Sequence, residues 1–569
     1  MNKGHRLAGV LAGSFVLVAA AHAEDRTIDG FGNNLANPSY GGAFTMEIRL
    51  APYAYQDGMD MPSGDDRPNP RTVSNIVVSQ PSLILTDRNQ SDWTWQWGQF
   101  IDHDIALTEN TPGVEPFHIP VPAGDPLLDP FNTGTQIIPF FRSFFDPSTG
   151  AGTGSEREQV NFLTAFVDGS GVYGSDPGRA DWLRTFVGGR LKTSAGNMLP
   201  FNDGTQLNVG PGGVPDFSTD LFVAGDIRAN EQLGLTAVHT LMVREHNRLA
   251  DELAADNPGW SDEEIYQRAR KMVGAMIQVI TYKEFLPAIL GPYAPSTGAA
   301  SYDSSINATL ANEFANVCYR VGHTMLSPEI QRVMNNGQAS PFGALSLRDA
   351  FFRPDRLMTE GGIGPILMGL SQQQMQRIDN FIVEDVRSFL FGPPGAGGLD
   401  LAALNMQRAR DHGIPTYNDL REAVGLSRYT NWSQISSSAD VQGRLAAAYG
   451  DIDLIDPWVG GISEDHLPGG SLGELFTTVI VDQFTRLRDG DRFWYSNDPS
   501  FSSADIFALE STSLGDIIRR NSEMTNIPDQ VFTVTGETVP TVSTWGLAIL
   551  GMLLLTAGKL FTQRRTAAA

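Results

Sequence analysis

Apolar side chains recur at helical spacing in only part of this chain, and those stretches predict its skeleton. Residues 229–255 repeat apolar positions every three to four residues and predict one long amphipathic helix. Residues 261–286 predict another, with Ser261 and Glu264 forming a capping box at its start and Pro287 ending it. Residues 371–391 and 471–488 are further helices by the same pattern. Between 97 and 108 the sequence WGQFIDHDIALT sets an apolar run around a polar triplet, Asp102-His103-Asp104. Elsewhere the periodicity fails. Residues 24–90 are rich in Gly, Pro, Asn and Asp and predict an irregular arm wrapped on a body. Residues 110–156, with Pro112, Pro116, Pro120, Pro122, Pro126 and Pro130, predict loops. Alternating strands are scarce, and no linker splits residues 90–530. The expected fold is mainly α: a single large helical domain with an irregular N-terminal arm.

Both ends depart from that pattern. Lys3 and Arg6 precede an apolar run from Leu7 to Ala21, and Ala21-His22-Ala23 is a small-residue cleavage signal. Residues 1–23 therefore read as a signal peptide, with Glu24 as the mature start. Residues 526–538 read as a linker and 539–569 as a tail. In the tail, residues 545–558 are uncharged and apolar, with Lys559, Arg564 and Arg565 following. The span is short for the ~20 residues a bilayer needs, and the basic residues would sit on the cytoplasmic side. An exported protein is expected, extracellular, periplasmic or at the cell surface, in membrane contact through its tail. Cys318 is the single cysteine, so no intrachain disulfide can form and a core, metal or cofactor must hold the fold. Forty basic against 65 acidic residues give a net charge of −25. That excludes nucleic-acid binding by phosphate neutralisation. The acidity either keeps an exported protein soluble or supplies cation ligands.

Five clusters could carry chemistry, and each has a plainer reading. Gln99 and His103 share a helix face with Asp102 and Asp104 flanking it, which suits a base near neutral pH or a satisfied core histidine. In TAFVDGSG, alternate residues Thr164, Phe166, Asp168 and Ser170 could turn oxygens onto a hard cation, with Asp104 adding a carboxylate, or could form a simple Gly-Ser turn. Arg228 and Glu231, at i and i+3, would share one helix face, as would His239 and His246; a surface salt bridge is the plain alternative. His323, in CYRVGHTMLSP, suits an axial haem ligand or a core histidine. Asn405, Arg408, Arg410, Asp411 and His412 crowd into a polar network suited to something anionic.

Together and in this order, WGQFIDHD, FVDGSGVYGS, GDIRANE…REHNRLA, RVGHT and NMQRARDHG resemble the animal-type haem peroxidases of the peroxidase–cyclooxygenase superfamily, especially bacterial peroxidasin-like members. The resemblance runs from about Arg26 to about residue 525 and implies a haem-peroxidase domain over 24–525. It implies that His103 is the distal base, Arg228 its partner and Gln99 a distal amide holding water or halide. It implies haem b on His323, with Asn405 accepting from that ring, Arg320 and Arg408 holding propionates, and Asp102 and Glu231 able to form haem esters. It implies calcium on Asp104, Thr164, Phe166, Asp168 and Ser170. The implied reaction reduces hydrogen peroxide through a ferryl state that oxidises halide, pseudohalide or phenolic donors. Two departures matter. Gln232 stands where some members carry a haem-linking Met, and Arg320 stands where the cyclooxygenase branch carries its radical Tyr, with Tyr319 one residue off. Fatty-acid oxygenation and a surface adhesion or matrix role that keeps the fold are the alternatives. The tail from Pro540, PTVSTWG, resembles bacterial sorting tails and implies a sorting protease as partner.

Overall fold

The computed structural model describes residues 24–110, 114–151, 154–297, 301–393 and 398–534. The signal-peptide and tail expectations, 1–23 and 539–569, lie outside the described residues.

Helices dominate, among them α1 (Trp93–Ile105), α2 (Leu233–Asp256), α3 (Asp262–Ile280), α4 (Gly364–Gln372), α5 (Leu401–Asp411), α6 (Glu474–Asp489) and α7 (Ser503–Glu510). Trp93, Trp97, Phe100, Ile101 and Ile105 of α1 are fully buried, so its apolar face sits in the centre of the core. α2 and α3 pack side by side, and the Ser261–Glu264 capping box starts α3 as expected. Among the described residues the strands are four antiparallel pairs of two or three residues each. One pair ties the arm to the body, Thr45–Met46 against Val160–Asn161. A buried Arg26–Asp491 ion pair, at 2.9 and 2.8 Å, ties the start of the arm to residues beyond α6.

Three expectations are corrected. Pro287 does not end the second long helix. α3 widens into a π-helical turn, Thr281–Phe285, and helix resumes over Leu286–Leu290 with Pro287 in its first turn. The helix is continuous there, with Leu286 N–H donating to Thr281 O across the π-helical turn, and that wider turn takes up a proline that has no N–H of its own. Residues 371–391 are not a helix. α4 ends at Gln372, and the chain then runs extended, bridging the arm at Ser91↔Gln374, Leu85↔Gln376 and Ser79↔Ile382 before one turn at Glu384–Arg387. Met375, Ile378, Ile382, Val383 and Val386 are buried there, so tertiary pairing produced a spacing that mimics a helix. The presumed linker is packed from 526 to 534. Ile527, Val531 and Phe532 are buried, and the segment straps the entry to α1. Ser91 Oγ donates to the Val531 carbonyl, Ser91 N–H to Phe532 O at 3.0 Å, and Val534 N–H to Asn89 O at 2.8 Å.

Candidate active site

A cavity of about 380 Å³ opens between α1, the turn before α2, the 3-10 segment Cys318–Thr324 and the start of α5. Gln99, Asp102, His103, Arg228, Glu231, Arg320, His323 and Arg408 line it. Gln99, Asp102 and His103 reach it together because positions three and four apart share a helix face. Asn405 stands behind His323, and Asp104 turns away from the cavity.

On the α1 wall, His103 is 3% exposed. Its Nδ1 lies 3.6 Å from Asp226 Oδ1 and its Nε2 3.7 Å from Glu231 Oε2. Burial, followed by the Arg228 charge, holds its pKa well below that of a free imidazole despite both carboxylates. The ring is neutral and can take a proton. Arg228 donates to both oxygens of Asp226, at 2.9 and 2.7 Å, and to the Ala106 carbonyl at 2.8 Å. Its Nη1 lies 3.6 Å from Asp102. Burial alone would raise the Asp226 carboxyl. The Arg228 charge and the Arg228 hydrogen bonds outweigh it and hold the group well below the usual carboxylate range. Burial raises Asp102, and raises Glu231 to about 7, against the pull of Arg228. α2 begins only at Leu233, so Arg228 and Glu231 share a tight turn, not a helix face; Glu231 N–H donates to Arg228 O at 2.8 Å. Gln232 donates to Gln96 at 2.6 Å and Gln99 at 3.0 Å, and Gln99 donates to Glu231 at 3.0 Å.

On the opposite wall the charged neighbour of the histidine is an arginine, Arg320. The Asn405 amide meets His323 Nδ1 at 2.9 Å, leaving Nε2 available to a ligand. Burial, then Arg320, lowers His323 to about 3, so the ring is neutral. Arg320 donates to Asn316 at 3.2 Å and its Nε has no partner. Arg408 donates to Ser143 and Asn110 and approaches Asp411 at 3.3 Å. A buried chain, Asn316–Asn312–His412–Ser143, links the two arginines.

Behind α1, Asp104 accepts N–H bonds from Asp168 (3.2 Å), Gly169 (3.1 Å) and Gly171 (2.8 Å), while Ser170 Oγ donates to the Asp104 carbonyl. Thr164 Oγ1 donates to Asp168 at 3.0 Å. Phe166 is fully buried in the same loop. Burial raises both carboxyls, and for Asp104 the Asp168 charge adds to it. His239 and His246 hold this region together. His239 Nδ1 pairs with Gly171 O at 2.9 Å, and His246 Nδ1 with the Tyr173 hydroxyl at 2.9 Å.

Sequence reasoning missed Asp226. Its one signal is its place two residues before Arg228, close enough for both its oxygens to hold the guanidinium.

The model of the animal haem peroxidase family matches residues 25–532. The chain belongs to that family. Its relatives include peroxinectin A of Dictyostelium discoideum, 36% identical over 89% of this chain and 95% of that protein, and myeloperoxidase of Mus musculus, 38% identical over 88% and 75%. The solved peroxidase A of D. discoideum matches with a TM-score of 0.83 at 35% identity, over 90% of this chain and all of that one. A fatty acid alpha-dioxygenase of Arabidopsis thaliana shares the fold, with a TM-score of 0.77 at 20% identity over 91% of this chain and 85% of its own. The chain is accordingly a haem peroxidase, an oxidoreductase. The cavity fits an iron porphyrin. It offers a neutral imidazole, two cations for the porphyrin carboxylates, one of them with an orphaned N–H, and apolar walls from Leu326, Phe351, Val386, Leu390 and Leu401.

Proposed function

We propose an exported peroxidase that reduces hydrogen peroxide in this cavity and takes electrons from halide, pseudohalide or phenolic donors. The observation that carries it is His103, neutral and buried, between Asp226 and Glu231 on the wall facing His323. Bound haem would supply the iron that holds peroxide and stores its oxidising equivalents. His103 takes the proton from the near oxygen of peroxide and returns it to the far one as the bond breaks. Arg228, fixed by Asp226, faces the negative charge on the departing oxygen, and needs no reorientation to do so. Gln99, held between Glu231 and Gln232, orders water or a halide beside them. His323 would hold the iron, with Asn405 fixing its ring, and Arg320 and Arg408 would hold the propionates. Asp102 and Glu231, both on the cavity wall, are the groups to form haem esters.

Calcium on Asp104, Thr164, Phe166, Asp168 and Ser170 accounts for two adjacent carboxylates buried behind α1. A divalent cation would offset a charge that is costly there. Export, an enzyme domain followed by tail sequences, membrane contact and a sorting protease rest on the sequence of the two ends. The test is peroxide turnover by the haem-loaded enzyme with bromide, iodide, thiocyanate and a phenol. Oxygen uptake on a polyunsaturated lipid without peroxide turnover would favour the dioxygenase reading instead. His103→Ala should lower turnover by about 10² to 10⁴ while haem content is kept; unchanged turnover sinks the assignment of the base.

A further inference from the structure

A file of buried aromatic rings leads from the cavity towards the surface. Tyr319 lines the cavity beside Arg320 and His323, and its hydroxyl has no hydrogen-bond partner. Its ring lies 5.7 Å from that of Phe484 on α6. Phe484 lies 5.8 Å from Tyr282, which the π-helical turn after α3 carries. Tyr282 lies 4.7 Å from Trp494, and Trp494 5.3 Å from Tyr495. Every step is within the 4.5–7 Å of packed aromatic pairs. At the far end the Tyr495 hydroxyl donates to Glu510 Oε1 at 2.9 Å. Glu510 is half-buried at the end of α7.

The rings differ in where a proton could go. The Tyr319 hydroxyl and the Trp494 N–H have no acceptor, and the Tyr282 hydroxyl donates to a backbone carbonyl, Phe484 O, at 2.6 Å. A carbonyl does not keep a proton. An oxidised ring at those positions would be a buried, unpaired charge, which is costly. Tyr495 alone in this file faces a carboxylate. It can lose an electron and a proton together and remain neutral.

Tyr495 is itself fully buried, so a donor would meet the protein at the half-buried Glu510 edge. We propose that Tyr319, Phe484, Tyr282, Trp494 and Tyr495 form an electron relay, and that the Glu510 edge beside Tyr495 is a second oxidation site for one-electron donors too bulky to enter the cavity, such as polymer-linked phenols. One electron leaves Tyr495 through Trp494, Tyr282 and Tyr319 and replaces one of the two that peroxide reduction removes from the enzyme. The phenolic proton passes to Glu510. An electron from the bulky phenol restores Tyr495, Glu510 returns the proton, and the phenol releases its own proton to water. This inference rests on the peroxidase assignment, so it is tested on haem-loaded enzyme that turns over peroxide.

That enzyme is mixed with peroxide without donor and frozen for electron paramagnetic resonance. The relay predicts a tyrosyl signal that Tyr495→Phe removes. Trp494→Phe should lose it although Tyr495 is still present. Glu510→Gln, at the half-buried edge, should lose it although the whole file of rings is intact. Tyr495→Phe should also lose oxidation of a polymer-linked phenol and keep oxidation of iodide. A radical signal unchanged in Tyr495→Phe or in Trp494→Phe, or a polymer-linked phenol oxidised as fast by Tyr495→Phe as by the wild type, overturns the relay.

Discussion

The two walls of the cavity use the same side chain in opposite surroundings. His103 has Asp226 and Glu231 within 3.7 Å, with Arg228 and Asp102 beyond them. His323 meets one neutral amide, Asn405, with Arg320 as its charged neighbour. Burial keeps both rings neutral at rest. They part company when a proton arrives. Next to His103 the Asp226 carboxylate can balance the new charge, so the proton can be taken and passed on. Next to His323 nothing acidic can, so that ring stays a ligand. A histidine's task is set by what its neighbours can do with charge, more than by the ring itself.

Substitutions can break this contrast one wall at a time. The largest effect is expected from His323→Ala: the protein should fail to hold haem, seen as loss of the Soret band after haem loading and desalting. His103→Ala should keep that band and lower peroxide turnover by about 10² to 10⁴, the usual range for a proton-transfer group. Asp226→Asn should lower turnover about tenfold, or roughly 1.4 kcal/mol of barrier, because Arg228 loses its charged anchor but keeps the Ala106 carbonyl. Its haem content should match wild type, which separates orientation from binding. The smallest effect belongs far from either wall. Ser261→Ala removes the cap of α3 and should cost about 1 kcal/mol in denaturant unfolding with turnover unchanged.

Helices α2, α3 and α6 were legible because long amphipathic periods and a capping box are local signals. So was the grouping of Gln99, Asp102 and His103, which one turn of helix fixes. Residues 371–391 misled because their apolar spacing reflects burial beneath the arm, a tertiary fact. The π-helical turn at Thr281–Phe285 has no spacing signature, so Pro287 read as a terminus. Arg228 and Glu231 were singled out, but only the fold shows that they sit in a turn. Asp226 was one acid among many until the chain brought it beside His103.

The strap at 531–534 has a bearing on how the molecule is made. Asn89 and Ser91, at the entry to α1, find their backbone partners more than 400 residues later. A growing polypeptide therefore carries α1 unfastened at its entry until residues 531–534 have been made. Closing so distant a contact comes late, after local helices have formed. The wall that carries His103 is accordingly among the last parts of this domain to settle.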